Sequence, residues 1–354
     1  MVSALIVTWN SATHLEACFA SLDRQEYRDL EVIVIDNAST DSTREMLRLR
    51  ESQWRVIYND RNVGFAAGQN QAMRAAKGEW LLCLNPDVML APDFVGRLVE
   101  AGAAYPEAGS ICGKLLRWDP ASEPHQTRII DSTGIYFTRN MRHLDRGAEE
   151  VDNGQYDGAR YVFGATGAAA MFRRSFVEAV SVDGEFFDED FFSYREDADL
   201  AWRAQVLGWK CLYTPSAVGW HVRRVTPERR EQLPLVINWH SVKNRFLMRG
   251  KNASGWLCWR LFWPVAWRDL MTLGYAVVRD RRLLSALVYP RRVLGSVRRK
   301  RAFIQKHRKV SDRELIWWFS NTPRAIDPDT STPKFPISAP RALAGNTATS
   351  EDRT

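Results

Sequence analysis

The sequence lacks the cysteine patterns of disulfide-bonded and zinc-binding proteins. Its 354 residues include five cysteines, an odd number, which are widely scattered and form no CxxC pair. Neither a disulfide framework nor a zinc knuckle is therefore indicated, and a reducing compartment fits best. The N-terminus carries no basic segment before its apolar residues. We read it as a first strand rather than a signal peptide and expect a cytoplasmic protein.

Long apolar runs and glycine-rich phosphate loops are also missing. No stretch of the tryptophan-rich C-terminal part reaches the ~18 uncharged apolar residues that span a bilayer. Gly64 and Gly68 stand at the start of a predicted helix, but their spacing is neither a Walker loop nor the GxGxxG of dinucleotide folds. Because a helix N-terminus offers open N–H groups and glycine lets a ligand come close, the two glycines are candidates for phosphate binding.

Acidic residues are scarce in one part of the chain. Residues 221–310 contain 22 Lys and Arg against 4 Asp and Glu, a net charge of +18, whereas the whole chain has +7 and residues 1–220 have −10. A basic segment of this strength usually faces phosphate, either in nucleic acid or in anionic lipid headgroups. Composition alone leaves both partners open.

The first part of the chain alternates short apolar runs with amphipathic helical patterns. This alternation is typical of βαβ units and predicts an α/β fold with a mainly parallel sheet flanked by helices. Residues 118–160 are polar and turn-rich and predict a loop or flap, with weak strand signals at 129–136. We expect strands near residues 4–8, 30–36, 54–59, 80–84, 109–116 and 210–215, and helices near residues 12–24, 42–50, 64–76, 91–105, 174–180 and 197–207.

Composition divides the chain into three parts. Residues 1–225 form the predicted α/β domain, and residues 226–320 form a helical, basic appendage rich in Trp and Arg. Residues 321–354 contain several prolines among Thr, Ser, Ala and Asp. Such a composition cannot bury enough apolar area to order itself, so we expect a disordered tail.

Four tryptophans of the basic part recur at intervals of three and four residues. Trp256, Trp259, Trp263 and Trp267 should form one stripe on a helix, which Pro264 should kink. Because Trp and Arg together suit the headgroup interface, we expect this region to bind an anionic membrane surface. The alternative is that the stripe packs on the catalytic domain or on a second subunit, which leaves a homo-oligomer open.

Two predicted strands end at a carboxylate. Asp36 closes the apolar run that begins at residue 32, and Asp87 follows the run 80–84 in the sequence Asn-Pro-Asp. Open α/β sheets bind ligands at the carboxyl ends of their strands, so both acids are placed like ligands of a nucleoside, a substrate or a metal ion. The alternative for Asp87 is an ordinary turn, whereas Asp41 and Ser42 are better explained as helix caps.

A second acidic cluster opens a later helix. Glu196, Asp197 and Asp199 begin this helical pattern, and His221 follows the next strand-like run. Together they offer metal-ligand and general-base side chains. The alternatives are carboxylates favoured by the helix dipole and a structural histidine. Combined with Asp87, the cluster suggests group transfer from a nucleotide diphosphate.

One combination of segments runs through residues 2–225 and is specific as a set. It comprises residues 7–10, 34–41, 62–70, 84–87, 164–168, 186–189 and 194–200, with Arg203, Gly208 and His221. This combination resembles the family 2 glycosyltransferases with the GT-A fold, and within them the bacterial rhamnosyltransferase-like group.

The resemblance implies a donor pocket built from the loops after the first strands. Thr8, Trp9, Asp36 and Asn62 would line the nucleotide. The full set of expected donor-binding residues is Thr8, Trp9, Asn10, Asp36, Asn62, Gly64, Gly68, Asn70 and Asn85.

The resemblance also implies a metal ion and a general base. Asp87 would hold Mg²⁺ or Mn²⁺ on the diphosphate of the donor. Asp197 would deprotonate the acceptor hydroxyl, with Glu196 and Asp199 as the alternative bases. Many relatives have Asp-x-Asp where this sequence has Asn-Pro-Asp, so one carboxylate remains and we expect His221 to help hold the metal.

The expected function is that of an inverting glycosyltransferase in cell-wall or surface polysaccharide biosynthesis. The best candidate reaction moves L-rhamnose from its thymidine diphosphate onto a lipid-linked glycan at the inner face of the plasma membrane. A nucleotidyltransferase of similar fold is an alternative, but no Gly-rich basic loop follows the first strand. A nucleic-acid-binding protein is another, but the tryptophans line one helical face instead of interleaving as stacking platforms, so we expect no nucleic-acid partner.

Overall fold

The structure is a computed structural model that describes residues 1–119, 127–223 and 235–329. The strands are β1 (Val2–Thr8), β2 (Leu30–Asp36), β3 (Arg55–Tyr58), β4 (Trp80–Leu84), β5 (Val88–Leu90), β6 (Ala108–Arg117), β7 (Ile130–Ser132), β8 (Ile135–Phe137), β9 (His143–Asp145), β10 (Arg160–Val162), β11 (Ala169–Arg173) and β12 (Lys210–His221). The α-helices are α1 (Ala12–Asp23), α2 (Thr43–Arg48), α3 (Phe65–Ala75), α4 (Phe94–Ala104), α5 (Arg174–Val180), α6 (Glu196–Val206), α7 (Leu235–Asn252), α8 (Gly255–Arg260), α9 (Phe262–Val278), α10 (Leu284–Val288), α11 (Leu294–Lys306) and α12 (Asp312–Leu315).

Ten of these strands form one sheet. Its order is β10-β12-β6-β11-β4-β1-β2-β3, with β5 beside β12 and β7 beside β6. The strands β4, β1, β2 and β3 are parallel neighbours, and so are β6 and β12, whereas β11 runs antiparallel to β4 and β6. The predicted α/β fold with a mainly parallel sheet flanked by helices is confirmed.

The register of the parallel strands brings their carboxyl ends to one edge. Thr8 lies opposite Asp36, Asp36 lies opposite Tyr58, and Ile6 lies opposite Leu84. Because parallel strands point the same way, the loops that follow β1, β2, β3 and β4 all emerge at this edge. The candidate site lies there.

Helices cover both faces of the sheet. Apolar residues of α1 and α4 pack on one face, and those of α3, α5 and α6 pack on the other. All seven residues of β1 are buried. A near-continuous apolar run is what a strand covered on both faces requires.

The C-terminal helices share a further core with α6. Trp202 of α6 is buried with Leu247 of α7 and Ile304 of α11. The other side of α6 packs Leu200 and Ala204 against the sheet. Helix α6 therefore lies between the sheet and the C-terminal helices. The predicted boundary at residues 225 and 226 falls within residues 224–234, outside the described residues.

Most predicted elements agree with the structure to within a few residues. The strand at 80–84 and the helix at 174–180 have their predicted limits as β4 and α5. Strand β12 extends beyond residue 215 to His221, because after an irregularity between Tyr213 and Val218 it pairs with β6 again. The predicted loop at 118–160 contains β7, β8 and β9, so the weak strand signals there are confirmed, while residues 120–126 lie outside the described residues.

The prediction of a disordered tail from residue 321 is wrong for its first residues. Ile326 exchanges backbone hydrogen bonds with Tyr161 of β10, donating at 2.9 Å and accepting at 2.7 Å. Asp327 forms an ion pair with Arg160 at 3.1 Å. The first residues of the tail pair with the edge strand β10, which has backbone N–H and C=O groups available to bind them. Composition alone could not reveal this pairing. Residues 330–354 lie outside the described residues.

The tryptophan stripe lies on α8 and α9 and faces outward. The exposed fractions are 71% for Trp259, 80% for Trp263 and 65% for Trp267. The alternative that these side chains pack on the catalytic domain is therefore wrong. The break between the two helices falls at Leu261, and Pro264 lies in the first turn of α9, where a missing N–H costs no helical hydrogen bond. The helix is therefore interrupted at Leu261, three residues before the kink that was expected at Pro264.

Within residues 1–119, 127–223 and 235–329, no helix has the length and apolar character needed to cross a membrane.

Candidate active site

Asp36 ends β2 at the carboxyl edge and is completely buried. Its carboxylate accepts hydrogen bonds from Thr8 Oγ1 at 3.2 Å, the Ser39 N–H at 3.2 Å and Arg44 Nε at 2.7 Å. Arg44 was not among the predicted site residues. Asp36 and Thr8 therefore lie beneath the loops after β1 and β2 and help to fix them. The expected ligand role of Asp36 stays a prediction.

The loop after β1 carries Trp9 and Asn10. Trp9 is 57% exposed, so its indole is accessible from solvent. Asn10 has a positive φ of 48°, and its Oδ1 accepts a hydrogen bond from the Thr40 N–H at 2.8 Å. Asn10 therefore joins the loops after β1 and β2, while Trp9 offers an aromatic surface beside them.

A cleft of about 450 Å³ opens at the beginning of α3. Asn62 lies in its wall, and its Oδ1 accepts a hydrogen bond from the Gly64 N–H at 2.8 Å. The full lining is Arg61, Asn62, Val63, Ala67, Gln71, Arg74, Glu189 and Phe192. Two arginines against one glutamate leave this lining with a net positive charge, which favours an anionic ligand.

Gly64, Gly68 and Asn70 make contacts within the protein instead of facing this cleft. A Cβ on Gly64, which has φ +90°, would lie 2.6 Å from the Phe192 carbonyl oxygen, and a Cβ on Gly68 would lie 2.9 Å from Val7. The Asn70 amide donates to the Phe187 carbonyl at 2.8 Å and accepts from its N–H at 3.0 Å. These contacts place the three residues in the packing of α3, and their binding of the donor stays a prediction.

Asp87 follows β4 and faces the end of β12. Its Oδ1 lies 3.5 Å from His221 Nε2, and His221 Nδ1 lies 2.8 Å from Asp131 Oδ2. Asn85 begins the same turn, where its N–H donates to the Ala168 carbonyl at 2.8 Å. The structure therefore brings the two predicted metal ligands together and adds Asp131, which the sequence did not single out.

The charges around His221 reinforce one another. Although burial alone would lower the pKa of His221, the carboxylates of Asp131 and Asp87 raise it to about 10. Burial opposes ionisation of Asp131 as well, yet His221 and Arg223 lower its pKa to about 2. Arg223 also forms an ion pair with Asp145. A connected network of charged groups therefore lies beside Asp87, running through His221 and Asp131 to Arg223 and Asp145.

Asp197 lies in the first turn of α6. Its Oδ2 accepts a hydrogen bond from the Gly167 N–H at 3.0 Å, and its Oδ1 accepts one from the Ala198 N–H at 2.7 Å. Burial raises the pKa of Asp197, while these two bonds favour the charged form. Residue 167 precedes Ala168, whose carbonyl binds the Asn85 N–H. One short segment thus connects the Asp87 turn to Asp197.

Glu196 lies beside Asp197 and is 7% exposed. Within the described parts of the chain, its Oε2 has no hydrogen-bond partner. Burial, reinforced by the charge of Asp197, raises the pKa of Glu196 to about 8. Glu196 is therefore mostly protonated at neutral pH, whereas a general base must begin the reaction unprotonated.

Asp199 is completely buried and faces the C-terminal helices. Its oxygens accept hydrogen bonds from Lys251 Nζ at 2.9 Å and Asn252 Nδ2 at 2.8 Å. Lys251 also binds Asp188, which Lys300 binds at 2.6 Å. Although burial opposes ionisation, the two lysines hold the pKa of Asp188 well below its usual range. The alternative of Asp199 as the base does not fit this geometry, because its carboxylate fastens α6 to α7.

The turn before α6 is strained. Phe192, Tyr194 and Arg195 have φ values of 65°, 71° and 73°, a region that bulky residues rarely adopt. Asn244 of α7 donates to the carbonyls of Ser193 at 2.8 Å and Tyr194 at 2.6 Å. Such strain persists only where surrounding contacts over-determine it, and it concentrates at functional sites. No local pattern marks Asn244, since it lies about 50 residues from the turn it supports.

Among the described residues, no group of three or more His, Cys, Asp and Glu side chains is arranged to hold a metal ion. Mg²⁺ in nucleotide enzymes is usually bound by one or two protein ligands together with substrate phosphates and water. Asp87 and His221 are therefore the pair to consider at this edge.

Comparison with known sequences identifies the class of this protein. The profile described as Glycosyl transferase family 2 matches residues 3–180. The chain belongs to glycosyltransferase family 2, and it is a glycosyltransferase.

Two relatives show how far the similarity extends. The N-acetylglucosaminyl-diphospho-decaprenol L-rhamnosyltransferase of Mycobacterium tuberculosis is 28% identical over 312 residues, which cover 81% of this chain and 98% of the relative. The uncharacterized glycosyltransferase YfnE of Bacillus subtilis is 29% identical over 163 residues, 44% of this chain and 41% of YfnE.

Two solved structures share the fold. The mannosyltransferase PcManGT from Pyrobaculum calidifontis, in complex with GDP-Man and Mn²⁺, has a TM-score of 0.50 at 18% identity and covers 86% of this chain and 84% of its own. GalNAc-T7, solved with UDP, GalNAc and Mn²⁺, has a TM-score of 0.53 at 15% identity. That match covers 71% of this chain but less than half, 48%, of GalNAc-T7. The expected GT-A fold is confirmed.

Proposed function

We propose that this enzyme is an inverting glycosyltransferase that moves L-rhamnose from dTDP-rhamnose onto a lipid-linked glycan in cell-wall or surface polysaccharide biosynthesis. The similarity to the mycobacterial rhamnosyltransferase, which spans almost all of that relative, supports this choice of donor and acceptor. The observation that supports the mechanism is that residues 167 and 168 connect Asn85, which begins the turn carrying Asp87, to Asp197.

Asp197 is the general base of the proposed reaction. As the acceptor oxygen forms its bond to the anomeric carbon, the hydroxyl proton passes to the Asp197 carboxylate. The bond from the anomeric carbon to the diphosphate oxygen breaks, and the diphosphate leaves with the electron pair. Because attack comes from the face opposite the leaving group, the anomeric configuration inverts. Burial of Asp197 supports the role, since a raised pKa brings a carboxylate closer to the operating pH.

Asp87 and His221 would hold Mg²⁺ or Mn²⁺ together with the donor diphosphate. Two ligands of one such ion are about 3 Å apart, and Asp87 Oδ1 lies 3.5 Å from His221 Nε2. Asp131 on His221 Nδ1 is the orienting carboxylate that ligating histidines usually have. When bound, the ion neutralises charge that develops on the leaving diphosphate. Because a ligating imidazole must be neutral, ion binding is coupled to proton loss from His221.

The donor nucleotide would lie over the loops after β1, β2 and β3. Trp9 offers an exposed ring for stacking, and Asn62 lies in the wall of the 450 Å³ cleft. Thr8 and Asp36 would lie beneath these loops and hold them in position for the nucleotide. Asn10 has the same holding role between the loops after β1 and β2.

The exposed tryptophan face would dock the enzyme on the inner face of the plasma membrane. We define this docking face as Trp256, Trp259, Phe262, Trp263 and Trp267, whose side chains are 38% to 80% exposed. Aromatic rings favour the headgroup level of a bilayer, and the +18 charge of residues 221–310 favours anionic lipid. Docking would bring a lipid-linked acceptor to a site in the cytoplasm.

A donor and acceptor screen tests the proposed function. The purified chain is heated with a panel of nucleotide sugars, with and without Mn²⁺, and the stabilising donors are then assayed with an N-acetylglucosaminyl-diphospho-lipid. We expect dTDP-rhamnose to raise Tm more with Mn²⁺ than without, and the acceptor to gain one deoxyhexose with inverted anomeric configuration by NMR. Stabilisation by other donors alone would reject rhamnose, and a retained configuration would reject the mechanism.

A further inference from the structure

Helix α7 holds the backbone of the turn before α6, residues 190–195. Lys243 Nζ donates to the carbonyls of residues 190 and 191 at 2.6 and 3.3 Å. Asn244 Nδ2 donates to the carbonyls of residues 191, 193 and 194 at 3.0, 2.8 and 2.6 Å. Two neighbouring side chains of one helix thus bind four of the five carbonyls from residue 190 to residue 194.

The remaining carbonyl, that of Phe192, connects the turn to the donor side of the site. It accepts a hydrogen bond from the Ala66 N–H, in the first turn of α3, at 3.1 Å. The Phe192 side chain lies in the wall of the 450 Å³ cleft. The part of the turn that lines the cleft is therefore bound to α3 independently of α7.

Asn244 holds the end of the turn that leads into α6. Tyr194 and Arg195 have φ values of 71° and 73°, and Arg195 is the N-cap of α6. Because bulky residues keep such a conformation only under constraint, loss of the Asn244 bonds should let the turn relax and shift the start of the helix. That shift would move Asp197 away from the Gly167 N–H, which its Oδ2 binds at 3.0 Å.

We propose that Asn244 is a positioning residue that holds Asp197 in place for the acceptor hydroxyl, an inference that rests on the proposed function. Asn244 is completely buried, so it acts through the turn. Among the described residues its Oδ1 has no hydrogen-bond partner. Leaving a buried acceptor unpaired is unfavourable, so stability alone does not account for this side chain, whereas its N–H groups serve the turn.

Transfer kinetics and calorimetry with dTDP-rhamnose on Asn244→Leu test this role. Leucine has nearly the shape of asparagine, donates no hydrogen bond and adds no charge. A displacement of about 1 Å at a reacting group can cost about 100-fold in rate. We expect kcat per folded molecule, counted from the stoichiometry of donor binding, to fall about 10-fold to 100-fold. Donor Kd should stay unchanged, because Phe192 remains bound to Ala66. The milder variant Asn244→Ser, which keeps one donor, should show an intermediate kcat.

Gln25→Met is the matched control. Gln25 is another buried amide, and its Nε2 donates to the carbonyls of Ser21 at 3.0 Å and Ala91 at 2.8 Å. Because both changes remove an amide that binds backbone carbonyls, both variants should have a lower Tm than the parent. Only Asn244→Leu should lower kcat per folded molecule. An equal kcat in Asn244→Leu and the parent, or an equal loss in Gln25→Met, would overturn the positioning role.

A titration of Asp197 separates this proposal from the proposed function. Carbon-13 NMR of protein labelled at the aspartate carboxyl groups follows the Asp197 resonance, which is identified by its absence in Asp197→Asn. Burial raises the pKa of Asp197, and the Gly167 N–H lowers it. Loss of that bond in Asn244→Leu should therefore raise the pKa of Asp197 by about one pH unit, while Gln25→Met should titrate like the parent.

This titration requires no sugar transfer. A raised pKa of Asp197 in Asn244→Leu would therefore support the positioning of Asp197 even if dTDP-rhamnose is not the donor. Near-parental turnover of Asp197→Asn would reject the proposed base and leave the titration result standing. An unchanged pKa of Asp197 in Asn244→Leu would overturn the positioning role, whatever the donor.

Discussion

The edge of the sheet that we propose to bind the donor, here called the donor edge, and helix α6, which carries the proposed base and is here called the base helix, are built in different ways. At the donor edge, Thr8, Asp36 and Asn10 are held by neighbouring strands and loops of one parallel sheet. The base helix instead follows a strained turn and is held from outside the sheet, where Asp199 binds Lys251 across 52 residues of sequence. With the proposed roles, donor binding and catalysis depend on different parts of the chain, so changes around α6 should reduce transfer while the donor still binds.

The largest expected effect is that of Asp197→Asn. The change removes the proton acceptor with little change in volume, so kcat should fall about 10²-fold or more while donor affinity stays close to that of the parent. Steady-state transfer and donor calorimetry on the same sample measure both. Glu178→Gln, an exposed change on α5, should leave turnover intact. Near-parental turnover of Asp197→Asn would move the base elsewhere.

Lys251→Met should have the next largest effect, on stability. Lys251 is buried between Asp188 and Asp199, and removing one partner of a buried ion pair typically costs about 3 to 5 kcal/mol. We expect the free energy of unfolding in urea to fall by about that amount. The matched change Lys306→Met, on an exposed part of α11, should be near neutral. Equal stability of the two variants would show that α6 does not depend on α7.

The next effect, smaller over any single pH unit, concerns the pH dependence of stability. The pKa of Glu196 is raised from 4.5 to about 8, so the native state keeps a proton that the unfolded chain releases. Stability should therefore be highest below pH 4.5 for this group and decline as pH rises towards 8, by at most about 1.4 kcal/mol per pH unit. Glu196→Gln should remove this decline in unfolding curves collected across the range. An unchanged slope would mean that Glu196 is ionised in the native state.

The smallest expected effect is on membrane binding. Replacing Trp256, Trp259 and Trp263 with Ser should remove the salt-resistant part of liposome binding and leave the electrostatic part, which amounts to about 1 kcal/mol per basic residue near anionic lipid. Sedimentation with anionic vesicles at low and high salt measures the two parts, and donor binding is the control. If the parent ignores vesicles and the variant becomes more soluble or monomeric, the face is a subunit interface.

The donor edge could largely be predicted from the sequence, because its signals are local. The apolar run before Asp36 and the run before Asp87 identified two parallel strands and their common edge. The same local reading predicted phosphate binding for Gly68 and missed its packing role. A glycine at a helix start suits phosphate, but here it lets α3 approach Val7.

The base side could be predicted only in part. The acids at the start of α6 were visible, yet nothing local distinguishes the roles of Glu196, Asp197 and Asp199. Their surroundings differ because Lys251 neutralises Asp199, whereas Oε2 of Glu196 has no hydrogen-bond partner among the described residues. Asp131 was missed for the same reason, since it meets His221 across 90 residues of sequence.

The central claim is that the site has a donor part and a separate part for the acceptor. Its most direct test is donor calorimetry in Mn²⁺ on the parent, Asp87→Ala and Asp197→Asn. In the proposed mechanism Asp87 would hold the cation against the donor diphosphate, whereas Asp197 would face the acceptor. We expect Asp87→Ala to weaken donor binding about 10-fold or more and to lose the advantage that Mn²⁺ gives the parent. Asp197→Asn should bind donor like the parent. Equal donor affinity in Asp87→Ala and the parent, or an equal loss in both variants, would contradict the account.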